Sequence, residues 1–355
     1  MNIETIIESL VALFINRPFI EMLIKVLIFP GLMFPLLFVV FAVWFERKLM
    51  AKIHLRIGPL HVGPGPLGGI FQLIADALKL LQKEIIVPYN AHKILYNILP
   101  LAMPMISLAA MAFIPVAPFP SVGPVDYLVV FYTPYSILVV LALFAIHPFL
   151  VIGVGWASGS KYTTMGALRA AYQLLAYEVP VMLSAACVVM VTGSFDLIKI
   201  VESQANIWYI LLLPIAFLVF FVSMMAELGR RPFDIPHAEQ EIVYGWATEF
   251  TGVHYVCVMF AEYVNLCVAS CLVTLLFLGG WLGPVLPPAA WFLIKFGIVV
   301  VFFLMGRGVY PRLRIDQLLN AGWRILIPLA LIQIFIILVL AKFAPWILPV
   351  TFLGG

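Results

Sequence analysis

Residues 251–278, TGVHYVCVMFAEYVNLCVASCLVTLLFL, hold Glu262 as their one charged side chain. A hydrocarbon core of roughly 30 Å takes about 20 apolar residues in helix, so this stretch reads as a transmembrane helix. Working outward by the same rule gives further spans at about 20–45, 97–118, 134–158, 168–192, 207–228, 289–309 and 324–349. Composition agrees: 64% of the 355 residues are hydrophobic and 10% are charged, whereas a soluble domain carries about 25% charged residues. A soluble enzyme is excluded. The fold class is an all-α integral membrane protein, a single polytopic domain over 1–355 with about eight transmembrane helices. Pro30, Pro35, Pro104 and Pro180 fall inside spans, where neighbouring helices can satisfy the freed carbonyls.

The net charge of +3 has no basic block to concentrate it, which argues against nucleic acid as a partner. Cys187, Cys257, Cys267 and Cys271 lie in apolar runs without a CxxC pair, so neither zinc, an iron–sulfur cluster nor a disulfide framework finds ligands. Glu4 and Glu8 precede any lysine or arginine, which argues against a removable signal peptide. Arg47, Lys48, Lys52, Arg56, Lys79, Lys83 and Lys93 follow the first span. Further pairs or clusters, Lys161 with Arg169, Arg230 with Arg231, and Arg307 through Arg324, fall on the same face. That asymmetry makes the charged loops cytoplasmic and puts both termini outside.

Between the first two spans, Gly63-Pro64-Gly65-Pro66 marks a stiff turn. In residues 67–84, Gln72, Asp76, Lys79 and Lys83 recur at helical spacing among apolar residues, the pattern of an amphipathic helix in the interface plane. The loop 228–250 with its flanks carries Glu227, Arg230, Arg231, Asp234, His237, Glu239, Glu241 and Glu249, and Asp234 ahead of Ile235-Pro236 predicts a short helix over 235–246. Crowded carboxylates at a low-dielectric boundary suit proton uptake; ion pairing with neighbouring arginines is the structural alternative. A metal site from Asp234, His237 and Glu241 has unspecific spacing, and no metal is expected. Glu178, before Pro180, and Glu262 sit at membrane depth, where an ionisable group costs at least roughly 2.5–3.5 kcal/mol and so faces the bundle interior. His147 is a weaker candidate. The last charged loop, with Arg307, Arg312, Arg314 and Asp316, suits docking to an acidic protein surface or lipid phosphates.

Several long blocks resemble one family: Glu46-Arg47-Lys48 through Arg56-Ile57-Gly58-Pro59, Gly166-Ala167-Leu168-Arg169 through Tyr177-Glu178-Val179-Pro180, Arg231-Pro232-Phe233-Asp234-Ile235-Pro236, Ala261-Glu262-Tyr263, and Pro311-Arg312-Leu313-Arg314-Ile315-Asp316-Gln317. Over essentially all of 40–330 the chain resembles the family of complex I membrane subunits, termed 1 or H, that join the membrane arm to the peripheral redox arm. The resemblance implies a subunit of a proton-translocating oxidoreductase with no redox cofactor of its own. It implies a chamber for a lipid-soluble carrier, framed by the first span, the amphipathic helix and the sixth span. Arg56, Asp234, His237, Glu239, Glu241 and Glu249 would line or shape that chamber. Glu178, Glu227 and Glu262 would begin the charge path, and Arg307, Arg312, Arg314 and Asp316 would serve docking. The implied partners are iron–sulfur and carrier-site subunits of the peripheral arm, small membrane subunits, antiporter-like pumping subunits and the bilayer of an energy-transducing membrane. His237 stands where the family often has an acid and His54 where it has glutamine, which leaves several quinones and methanophenazine open as carrier and NADH, deazaflavin or ferredoxin as donor. A stand-alone ion transporter or channel and a hydrogenase-type membrane anchor are the competing readings.

Overall fold

The computed structural model describes residues 25–27, 30–63, 68–119, 126–236 and 239–343, the side chains of Phe119, Asp126, Glu239 and Gln240 excepted. Its helices are α1 (Met33–Ile53), α2 (Gln72–Leu81), α3 (Lys93–Ala112), α4 (Ser136–Ala157), α5 (Lys161–Thr192), α6 (Leu197–Glu202), α7 (Tyr209–Leu212), α8 (Pro214–Glu227), α9 (Glu239–Ile242), α10 (Gly252–Phe277), α11 (Pro288–Val309), α12 (Ile315–Asn320) and α13 (Ile327–Phe343). A 3₁₀ turn covers Gly245–Ala247 and a π-helical turn, Ala321–Leu326, feeds α12 into α13. Strand pairing among the described residues is confined to Pro118–Phe119 against Asp126–Tyr127.

The protein is thus an all-α membrane protein. Among the described residues six helical stretches are long and apolar enough to cross a membrane: α3, α4, α5, α10, α11 and the run Ile315–Phe343, with α8 a shorter apolar helix. Seven of the eight expected spans overlap these elements, with informative differences at their ends, and the one expected over 20–45 overlaps α1, which is not among them. In the stretch expected over 20–45, residues 25–27 are helical, and α1 runs from Met33, after Pro30 and Gly31, to Ile53 through Glu46, Arg47 and Lys48. Residues 20–24 and 28–29 lie outside the described residues, as do Pro64, Gly65 and Pro66 of the expected stiff turn, 344–349 of the last expected span and His237. The fourth span starts at Lys161 rather than 168. The fifth breaks at Leu213, where Pro214 takes the first helical position, one that needs no backbone N–H.

The core is built around α10, the most buried spanning helix among those described. From Val264 to Phe277 its residues are enclosed by α8, α11 and the segment around α6, with Phe277 against Phe217 and Phe220. A second cluster, Tyr96, Met103, Val151, Leu174, Trp246 and Val258 among them, joins α3, α4, α5 and the first half of α10. Pro100, Pro104, Pro148 and Pro180 all lie within helices, as bundled membrane helices permit. At the end of α10 opposite the charged loops, Lys295 is buried, donates to the Leu278 and Leu282 carbonyls at 2.6 and 2.7 Å, and lies 4.3 Å over the Trp208 ring. An intramembrane cation so bonded closes a helix end.

Candidate functional site

Four separate segments converge on one carboxylate. Glu46, on the last turns of α1, is 2% exposed. Arg230 Nη1 donates to both its oxygens, at 3.1 and 3.0 Å, Arg307 Nη1 donates to Oε1 at 2.5 Å, and the Tyr263 hydroxyl donates to Oε2 at 2.8 Å. The Arg230 guanidinium also lies 4.8 Å from the Tyr263 ring centroid. Arg230 gets there because α8 ends at Glu227 and, after Leu228, Gly229 turns the chain at φ 59°, a conformation glycine adopts without strain. Burial works against the charge of Arg230, and Glu46 foremost overcomes it, so the guanidinium stays charged. This cluster explains why α1 continues through Glu46-Arg47-Lys48. The acid is countered inside the protein, and the helix has no need to stop at the water boundary.

Beside it the loop 228–250 is tied to the last charged loop. Asp234 accepts from Arg312 at 3.0 Å and lies 3.5 Å from Arg231 Nε, and the Leu313 N–H donates to the Pro232 carbonyl at 3.2 Å. Asp234 therefore spends its carboxylate on arginines instead of capping a helix. The helix expected over 235–246 is correspondingly fragmented: α9 ends at Ile242, Val243 takes φ 60°, and the 3₁₀ turn follows. Glu241 is exposed and pairs with Arg169 of α5. Glu249 is half-buried and its carbonyl accepts from the buried Tyr96 hydroxyl at 2.7 Å. Arg56 is exposed in the turn after α1. Glu239 opens α9. Gly166 lets α5 pass directly beneath this loop, since a Cβ there would strike the backbone of Gly245 and Trp246.

The amphipathic helix is present as α2, shorter than the expected 67–84. It touches α1 and α10, which touch each other. Arg47 bonds Asp76 at 2.8 Å, Gln72 bonds Asp76 at 3.0 Å, and Trp44 Nε1 donates to the Gly68 carbonyl at 3.4 Å. Partial burial raises the Asp76 carboxyl, and these bonds from Arg47 and Gln72 outweigh it, holding the group below its ordinary value. Ile74, Leu78 and Leu81 stay exposed along the other side, the face such a helix gives to lipid.

Inside the bundle, Glu178 of α5 and Glu227 of α8 line one small cavity with Leu141, Phe144, Val181 and Met224, about 10 Å³ in volume, near the minimum that admits one water. Glu262 of α10 lies within electrostatic reach of His147, Arg230 and Tyr244. Burial, and Glu262 after it, push the Tyr244 phenol above its ordinary value, so it stays protonated. Arg314 and Asp316 are exposed, while Arg307 and Arg312, from the same charged stretch, are engaged with Glu46 and Asp234. Among the described residues no three His, Cys, Asp or Glu side chains are grouped to hold a metal ion.

Sequence reasoning named Asp234, Glu241 and the intramembrane acids, and it missed Glu46 and Arg230 as a pair. The available signal was an acid at the very end of an apolar helix, with arginines placed at the ends of two later ones.

Residues 24–338 match the family model described as NADH dehydrogenase. The chain is 41% identical over 309 residues to the H subunit of the NADH-quinone oxidoreductase of Geobacillus sp. strain WCH70, covering 85% of this chain and 89% of that protein. It is 42% identical over 297 residues to the H 2 subunit of the Geobacter sulfurreducens NADH-quinone oxidoreductase, covering 83% and 89%. The corresponding H subunit of Bacillus cytotoxicus is 40% identical over 307 residues, covering 84% and 88%.

Proposed function

The chain belongs to the NADH dehydrogenase family of complex I membrane subunits, and from that premise we propose that it walls the chamber in which a quinone meets electrons from a peripheral arm. It is a multi-pass membrane protein and one subunit of a multi-subunit oxidoreductase. The observation that carries the reading is the frame of α1, α2 and α10, in mutual contact, with Glu46 of α1 bonded to Tyr263 of α10 and to Arg230. A lipid-soluble carrier reaches such a frame from the bilayer past the exposed apolar side of α2. The loop 228–250, with Asp234, His237, Glu239, Glu241 and Glu249, and Arg56 of the first loop supply the polar wall that a quinone headgroup needs.

The chain's own residues bind and orient. Arg230 and Arg307 bring two positive charges to one carboxylate, leaving a net positive site beside the frame that favours negative charge developing on a carrier. Electrons come from a neighbouring subunit's cofactor. Glu262, Glu227 and Glu178 begin the charge path into the membrane arm, and the loops carrying the arginines face the cytoplasm, where Arg314 and Asp316 remain open for a peripheral subunit. Small and antiporter-like membrane subunits complete the assembly.

The test is electron transfer in native membranes carrying Asp234→Ala. Quinone reduction falls by about tenfold or more, while reduction of a soluble artificial acceptor by the peripheral arm is retained. Unaltered quinone reduction in that variant, with the subunit present in normal amount, removes Asp234 from the chamber. A methanophenazine analogue run in parallel separates the two carrier classes.

A further inference from the structure

A cavity of about 430 Å³ lies in the half of the bundle opposite the charged loops. It sits where α4 and α13 both flank α5 without closing over it. Three of its lining residues are alanines, Ala185 and Ala186 of α5 and Ala341 of α13, and their small side chains leave the gap. Every lining residue is apolar. Water finds no partner in such a space; an apolar cavity of even about 150 Å³ stays dry and takes up benzene instead. At its mouth Leu138 of α4 and Leu338 of α13 are exposed, so the cavity opens toward the bilayer. Along α5 it reaches from Met182 to Met190, about 12 Å at 1.5 Å per residue. That is most of one leaflet of a hydrocarbon core roughly 30 Å thick.

The outer rim of this apolar slot is polar. Lys342 stands one turn beyond Leu338 on the same face of α13 and is exposed. Tyr135, the residue that starts α4, is exposed too, and its ring centroid lies 6.3 Å from that of Phe195, which lines the cavity. Lysine and tyrosine at the end of a span reach for the headgroup layer. An acyl-length slot ending under a cation has the outline of a phospholipid.

We propose that this cavity holds one acyl chain of an anionic phospholipid from the leaflet opposite the charged loops, with Lys342 binding its phosphate. Charge complementarity selects the lipid over a helix of a neighbouring subunit. A lysine at headgroup depth answers a phosphate, whereas the cavity walls carry none of the hydrogen-bonding groups that commonly join transmembrane helices. Leu141 and Met182, at the inner end, also line the small cavity of Glu178 and Glu227. The chain terminus therefore ends against the wall of that acid pair and separates it from the bilayer. The site lies at the opposite end of the bundle from the proposed carrier chamber and does not depend on it.

The experiment uses the whole complex, extracted in mild detergent, stripped of loosely held lipid and returned to vesicles. These contain a phosphatidylglycerol that carries a photoreactive group midway along one acyl chain. After illumination the labelled peptides of this chain are identified by mass. Label is expected to concentrate on the Met182–Met190 and Ile337–Ala341 stretches. Lys342→Gln should lower it there about fivefold, the affinity that one lysine adds at an anionic lipid surface, and Lys342→Arg should restore it. The matching phosphatidylcholine probe should be insensitive to Lys342→Gln. Ala186→Phe fills the cavity and should abolish label within it while leaving the lipid-facing Phe335 labelled as before. Label spread evenly over exposed residues, unaltered by either substitution, overturns the proposal. So does a cysteine in place of Leu338 that cross-links to a neighbouring membrane subunit while the cavity takes no lipid label. Should Ala186→Phe fail to assemble, Lys342→Gln, at an exposed position, decides by itself.

Discussion

At the scale of single residues, Glu46 is the most consequential side chain that spacing could not reveal. Its partners Arg230, Tyr263 and Arg307 lie 184, 217 and 261 positions away, and no local pattern joins residues so far apart. Replacing Glu46 with Ala leaves a buried guanidinium uncompensated, which costs about 3–5 kcal/mol. The expected result is a large loss of thermal stability of the detergent-extracted complex. Tyr263→Phe removes one hydrogen bond to a charged group and should cost about 1.5–3 kcal/mol, a smaller shift in the same melting experiment. By contrast, the intramembrane acids Glu178 and Glu262 are legible at once. A charge at membrane depth stands out against apolar neighbours whatever its partner is.

At the scale of elements, hydropathy located the spans and missed their true ends. It reports which residues tolerate hydrocarbon, whereas the helix itself continues wherever backbone bonds and partners allow. The 32 residues of α5 extend roughly 48 Å at 1.5 Å per residue, well past a hydrocarbon core of about 30 Å. Lys161, Tyr162 and Gly166 thus fall in the extension ahead of the span expected from 168. This extension supports the loop 228–250 through Gly166, so Gly166→Ala should cost about 1–3 kcal/mol by overpacking and weaken quinone reduction through displaced loop residues. Normal stability and turnover in that variant would contradict the close approach. The amphipathic helix was legible from period, but its tether was not. Because the Asp76 carboxyl is held below its ordinary value of 3.8, its bond to Arg47 persists at every pH above that value and is lost only as pH falls beneath it through the lowered one. The mobility of a spin label carried on a cysteine placed at Gln82 should accordingly stay flat with pH on the upper side and rise only in strong acid.

At the scale of the molecule, the all-α membrane architecture followed from composition and span length, because a bilayer leaves helices few alternatives. Which helix would occupy the centre did not follow, since α10 and α13 are both apolar and only packing distinguishes a buried helix from a lipid-facing one. Orientation is open to direct test. A single cysteine in place of Arg314 should react with a membrane-impermeant reagent from the cytoplasmic side of vesicles, and one in place of the exposed Val285 only from the other. Equal reaction at both positions from one side would overturn the assigned topology.

The distance along the chain between Glu46 and its partners also sets a schedule for biogenesis. Synthesis proceeds at about 5–20 residues per second, so Arg307, 261 positions later, emerges on the order of 13–50 s after the acid it binds. Until Arg230 emerges, 184 positions after it, the carboxylate has neither arginine, and until Arg307 follows it has at most one of the two that let it be buried. Early insertion therefore keeps this end near the headgroups, and it sinks to its final depth only when the last third of the chain arrives. A chain truncated before Arg230 is expected to hold its first helix in the wrong place, where quality-control proteases meet an unfinished membrane protein.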